Sequence, residues 1–250
     1  MEHRHFFIIG AQRSGSTFLY QVLDEHPGIR MARPMRPEPK FFLDPGAVAL
    51  GRSAYLERHF PDAAAGAVLG EKSTSYLESP AAGARIQELF PQAQVIAILR
   101  DPVERALSNH AFSVANGIEP RSLSEVFLEG VPRPVSTLAT SVSPYDYVER
   151  GHYHHYLPPF LERFGPRMHV LIFEETVGRV QAVQHLYRAL GVDPGFVPPS
   201  LQHRVNAAPA ANDPVRDEVR KRLRAIFGPS IAATEHLLGR AVPAWHDQVQ

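Results

Sequence analysis

The sequence predicts an α/β fold in which a central parallel sheet of about five strands carries helices on both faces. Three observations lead there. A short apolar run, HFFII at residues 5–9, passes directly into the glycine loop GAQRSGST at 10–17 and then into a helical pattern. A second apolar run, AQVIAIL at 93–99, reads as a central strand, and Arg100-Asp101-Pro102 then opens a helix. Strand and helix patterns alternate along most of the 250 residues without an internal repeat, which favours parallel pairing.

Each element has its own signal. From Ser16 to about His26, Phe18, Leu19, Val22 and Leu23 recur at helical spacing, and His-Pro-Gly stops the helix. A Pro-rich loop, ARPMRPEPKFFLDPG, follows, with Phe41-Phe42-Leu43 as a buried anchor. AVLG at 67–70 suggests a short strand that leads into EKSTSYL, and a helical pattern spans about 81–90. Residues 117–150 are rich in Pro, Gly and Ser and read as loops with one short helix. HYHHYLPPFLERF reads as a helix, MHVLIF at 168–173 as a strand, and about 175–190 as a helix. ANDPVRDEVRKRLRAIF and PSIAATEHLLG read as two amphipathic helices.

Composition narrows the function classes. With 26 basic and 26 acidic residues the formal net charge is zero, so the basic excess of a general nucleic-acid binder is missing. No apolar run approaches the roughly 18 residues of a membrane span. The N-terminus lacks the pattern of a secretory signal, so a cytoplasmic location is expected. The chain has no cysteine, which removes disulfides, thiolate nucleophiles and cysteine metal sites. Its only lysines are Lys40, Lys72 and Lys221.

The loop 10–17 has the glycines and terminal Thr of G-x-x-x-x-G-K-[ST], but Ser16 stands where the lysine belongs. A glycine turn between strand and helix aims backbone N–H groups and the positive helix end at an anion. Gly10 and Gly15 permit the turn, Ser14, Ser16 and Thr17 add hydroxyl donors, and Arg13 adds a fixed positive charge. Such a loop suits a phosphate or sulfate better than a magnesium-bound triphosphate. In VIAILRDPVERALSNHAF the strand end carries Arg100, where a kinase would want an acidic magnesium ligand. Asp101 is a helix N-cap, and Ser108 lies eight residues beyond Arg100, so one helix face can present both to an anion. HYHHY at 152–156 has no acidic metal motif beside it, so no metal is expected.

The segments IIGAQRSGSTFLYQVL, PEPKFF, GEKSTSYL and ILRDPVERALSNH resemble, in order, the motifs of sulfotransferases that use 3′-phosphoadenosine 5′-phosphosulfate (PAPS). The likeness is to the carbohydrate branch, including the heparan sulfate sulfotransferases and their bacterial relatives, and it extends through GHYHHYLPPFLERFGPRMHVLIFEETV and the C-terminal helices, so it covers nearly the whole chain. It implies a fold related to the P-loop NTPases, with residues 1–250 forming one sulfotransferase domain. The first loop would hold the 5′-phosphosulfate, and Arg100 with Ser108 the 3′-phosphate. Arg204, in HRVNAAP, would add a phosphate contact. Glu38 matches the catalytic glutamate, and Lys72 matches a lysine that points into the active site. Arg13 stands where relatives carry a basic loop residue; because arginine keeps its proton, its role is charge stabilisation. Glu71 and Ser73 would orient Lys72 or contact substrate. Lys40 replaces the histidine common at its position, and His152 or Tyr153 would touch an acceptor.

These implications describe an enzyme that moves a sulfuryl group from PAPS to an acceptor hydroxyl, or to an amine, releasing adenosine 3′,5′-bisphosphate (PAP). The acceptor would be a glycan or a small metabolite, and no metal would be required. Two alternatives stand beside it. A P-loop kinase would need magnesium and ATP, and a non-catalytic module would bind PAP without turnover.

Overall fold

The computed structural model describes residues 3–135, 142–202 and 214–246. The chain divides into two compact units, one built on Met1–Leu99 with Tyr156–Val205 and the other on Arg100–His155 with Asn206–Gln250.

The first unit holds a parallel sheet of five strands: β1 (His5–Gly10), β2 (Ile29–Met31), β3 (Val68–Lys72), β4 (Gln94–Leu99) and β5 (Met168–Ile172). Their order is β2-β3-β1-β4-β5. Every residue of the central strand β1 is buried, which explains why the sequence shows an unbroken apolar run there rather than alternation. Phe6 and Ile8 face the helices Ser16–Asp24 and Val180–Leu190 through Phe18, Leu19, Val183 and Leu186. Phe7 points the other way, into an aromatic cluster with Phe42, Tyr55 and Phe90 at ring distances of 5.2–6.2 Å. The sheet therefore has helices on both faces, as the alternating pattern predicts.

Several stretches differ from the sequence reading. Residues 29–31 form the short edge strand β2, which three residues of sequence could not announce, and helices Pro45–Ala49 and Gly51–His59 follow the Pro-rich loop. HYHHYLPPFLERF is two helices, Tyr153–Tyr156 and Pro158–Phe164. Its paired prolines occupy the start of the second, where their missing N–H groups leave no helical bond unmade. The segment expected to be one helix from about 175 splits into Phe173–Thr176 and Val180–Leu190, with Gly178 at φ 73° between them.

In the second unit, Asp101 caps the helix Pro102–Ala115 as expected, its side chain accepting from Val103 N at 2.9 Å. The two expected C-terminal helices are one, Pro214–Leu238, with Pro229 inside it. The buried positions Val219, Leu223, Phe227, Ser230, Ile231 and Thr234 run as one stripe at helical spacing through the proline. Burying a continuous stripe outweighs one lost backbone hydrogen bond. That helix packs on Pro102–Ala115 and on Leu123–Phe127.

Candidate active site

The loop forms at the carboxyl end of the central strand. Ala11 N donates to Ile98 O at 2.8 Å, which ties the loop to β4. Gly15 sits at φ 92° as the N-cap of Ser16–Asp24, a left-handed conformation that a side chain would strain. A Cβ there would also stand 2.7 Å from Phe173 Cδ2. Arg13 is left-handed too, at φ 67°. The first-turn N–H groups of this nine-residue helix, with Ser16 at its start, have no intrahelical partners. Ser14 is fully buried, and its Oγ has no hydrogen-bond partner among the described residues. A buried, unpartnered hydroxyl beside a helix N-terminus fits an oxyanion ligand.

Pairing of β1 with β3 brings a second group of residues to this end of the sheet. Lys72 is in register with Ile8, and Leu77 N donates to Ile9 O at 2.9 Å. Glu38 reaches back from the Pro-rich loop and forms an ion pair with Lys72 Nζ. Its carboxylate also accepts from Thr74 N at 2.9 Å and from Thr74 Oγ1 at 3.0 Å. The Thr74 carbonyl lies 3.3 Å from the point where a Cβ on Gly10 would stand, so the cage around Glu38 abuts the first residue of the phosphate loop. The Lys72 side chain is 4% exposed and that of Glu38 16%, so this pair is much less screened than one on the surface.

Below this pair lies a carboxylate that faces away from solvent. Glu71 is 1% exposed and accepts hydrogen bonds from Tyr55 OH (2.7 Å), Ser73 Oγ (2.7 Å) and Tyr76 OH (2.6 Å). Burial pushes its carboxyl above the usual range, while the three hydroxyls work against that shift. Lys40, at φ 52°, donates its backbone N–H to Ser73 Oγ at 2.9 Å. Phe42 N donates to Tyr76 OH at 3.2 Å, and Phe41 and Phe42 are buried, as the sequence anticipates.

The remaining expected site residues belong to the second unit. Arg100 directly follows β4, and its carbonyl accepts from Tyr153 OH at 2.8 Å. Tyr153 is buried beside Trp245, so its hydroxyl serves the Arg100 backbone. Ser108 is half-buried on the helix Pro102–Ala115. His152 lies 5.5 Å from the His155 ring, and desolvation lowers its imidazole pKa. Arg204 falls outside the described residues. Among the described residues, no group of three or more His, Asp or Glu is placed to hold a metal ion.

The structure thus gathers the 10–17 loop, Glu38, Lys40, Lys72, Glu71 and Ser73 in the first unit, with Arg100, Ser108, His152 and Tyr153 in the second. Sequence reasoning missed two contributors and one supporting residue behind them. Thr74 and Tyr76 lie inside GEKSTSYL, so the motif marked the place but not their role. Tyr55, behind Glu71, lies on a helix that no sequence pattern announced.

A parallel β2-β3-β1-β4-β5 sheet whose central strand feeds a glycine loop and a helix defines the P-loop NTPase-like class of α/β proteins. Residues 5–63 match the sulfotransferase family. A solved sulfotransferase from Alicyclobacillus acidocaldarius is 26% identical, with a TM-score of 0.77 over 98% of this chain and 99% of that one. Both likenesses are to sulfotransferases. It is 29% identical over 168 residues to the Caenorhabditis elegans bifunctional heparan sulfate N-deacetylase/N-sulfotransferase 1, covering 66% of this chain and 19% of that protein. It is 28% identical over 157 residues to the mouse heparan sulfate glucosamine 3-O-sulfotransferase 3B1, covering 63% of this chain and 37% of that protein. The matched region spans only about a fifth to two fifths of those two relatives.

Proposed function

We propose that the chain transfers the sulfuryl group of PAPS to an acceptor hydroxyl, with Glu38 as general base and residues 1–250 as one sulfotransferase domain. The carrying observation is the Glu38 carboxylate, fixed by Lys72 and Thr74 against the first residue of the loop. The acceptor oxygen attacks sulfur in line, an S–O bond forms, and the bond from sulfur to the bridging oxygen breaks. The acceptor proton passes to Glu38, and the bridging oxygen leaves with PAP. The loop N–H groups, Ser14, Ser16 and Thr17 hold the phosphosulfate, while Arg13 and Lys72 offset charge that develops on sulfuryl and bridging oxygens. Lys72 stands beside the base and helps to hold its carboxylate in place. Arg100 and Ser108 supply the 3′-phosphate contacts. The heparan sulfate relatives favour a glycan acceptor.

Glu38→Gln tests this reading. The variant is expected to bind PAP with unchanged affinity by calorimetry while turnover falls by about 10²–10⁴, the usual contribution of a positioned base. Unchanged turnover would remove Glu38 from the chemistry. Tight binding of magnesium-ATP without affinity for PAP would favour the kinase alternative.

A further inference from the structure

Glu38 is held from above by Lys72 and Thr74, but the backbone that carries it is held from below. Lys40 N–H and Phe42 N–H, two and four residues past Glu38, donate to Ser73 Oγ and Tyr76 OH at 2.9 and 3.2 Å. Each hydroxyl has a single proton, and both give it to the same atom, Glu71 Oε1, at 2.7 and 2.6 Å. That commitment turns the oxygen lone pairs toward the two backbone N–H groups. The other carboxylate oxygen, Oε2, accepts from Tyr55 OH at 2.7 Å, and Tyr55 meets the 38–42 segment through ring contacts with Phe41 and Phe42, at 5.0 and 5.4 Å, which Tyr55→Phe keeps.

We propose that Glu71 is a positioning residue for the base: through Ser73 and Tyr76 it sets the backbone of residues 38–42 and so the approach of Glu38 to the acceptor. The proposal rests on Glu38 as the base. It gives the buried glutamate a task distinct from orienting Lys72 or touching substrate. It also makes the two oxygens unequal, since Oε1 binds the two hydroxyls that hold the 38–42 backbone.

That inequality supplies the test. Ser73→Ala and Tyr76→Phe each delete one hydroxyl and should speed amide hydrogen exchange at Lys40 and Phe42 respectively by about tenfold or more. With PAPS as donor and heparan sulfate as probe acceptor, both should lower kcat about ten- to a hundredfold, the scale of a small misplacement of a reacting group. PAP affinity should stay unchanged. Glu71→Leu should combine both losses. Glu71→Gln should retain both functions, because its amide oxygen can accept from Ser73 and Tyr76 while its NH₂ donates to Tyr55. Tyr55→Phe should lower Tm yet leave kcat within about twofold and exchange at both amides unchanged. Wild-type exchange at Lys40 and Phe42 in both Ser73→Ala and Tyr76→Phe would overturn the proposal, as would an equal kcat loss in Tyr55→Phe. Glu38→Gln separates the two ideas. Full turnover in that variant defeats the base assignment, whereas lost turnover with normal Ser73→Ala and Tyr76→Phe kinetics defeats only the positioning role. Should heparan sulfate not serve as acceptor, the exchange measurements decide alone.

Discussion

Lys72 makes one charge contact that bears on both stability and chemistry. Its ammonium is nearly buried and paired with Glu38, so removing it leaves a largely desolvated carboxylate without its counter-charge. Lys72→Met is therefore expected to cost about 3 kcal/mol in stability, read by urea denaturation. It should also lower turnover by about 10²–10³, the loss typical of one donor to developing transition-state charge. A surface Glu–Lys pair would lose less than about 1 kcal/mol and no activity. At this scale the sequence was most informative where a residue sat in a motif. Glu38, Lys72 and the loop residues were legible because PEPKFF, GEKSTSYL and GAQRSGST surround them. Thr74 was not, because a threonine that cages a carboxylate looks the same in sequence as one in any strand–turn segment.

Among elements, the strand–loop–helix around Gly15 is the least forgiving. Gly15→Ala must place a methyl group at φ 92° and 2.7 Å from Phe173. The combined conformational and packing costs amount to about 2–5 kcal/mol. The expected result is a lower Tm and weaker PAP binding by calorimetry. The opposite outcome is expected at Pro229. The helix Pro214–Leu238 continues through it, so Pro229→Ala should restore a backbone donor and stabilise the protein by about 2 kcal/mol in denaturant titration. Unchanged or reduced stability would show that the helix is already relaxed around the ring. Elements with a strong period or an unbroken apolar run, such as β1, β4 and Ser16–Asp24, were readable directly. Those that depend on tertiary contact were not: β2 has three residues and exists by pairing with β3, and the Pro229 helix holds through its buried stripe.

For the whole molecule, acid sensitivity follows from the histidines. His59, His110, His152, His154 and His169 all have imidazole pKa values below the ordinary 6.5, with desolvation as the leading cause. The folded state therefore binds fewer protons than the unfolded chain near that pH. The associated stability is fully present above 6.5 and is lost as pH falls through the folded values. Glu71 and Asp101, both raised by burial, act with the opposite sign from starting values of 4.5 and 3.8. Thermal denaturation should accordingly show Tm falling as pH is lowered from about 7.5 to about 5.5. A flat or rising Tm over that interval would contradict the burial of these rings. None of this was visible in the composition, since 13 histidines in a sequence say nothing about which are dry. The fold class and the parallel sheet, by contrast, were legible from alternation alone.

The clasp between Glu38 and Lys72 has an outcome for economy of the donor. Kept in one place by the clasp, the proposed base serves an acceptor bound in line and leaves a loosely placed water unattended, so the phosphosulfate anhydride endures. Idle consumption of PAPS without an acceptor should accordingly stay slow.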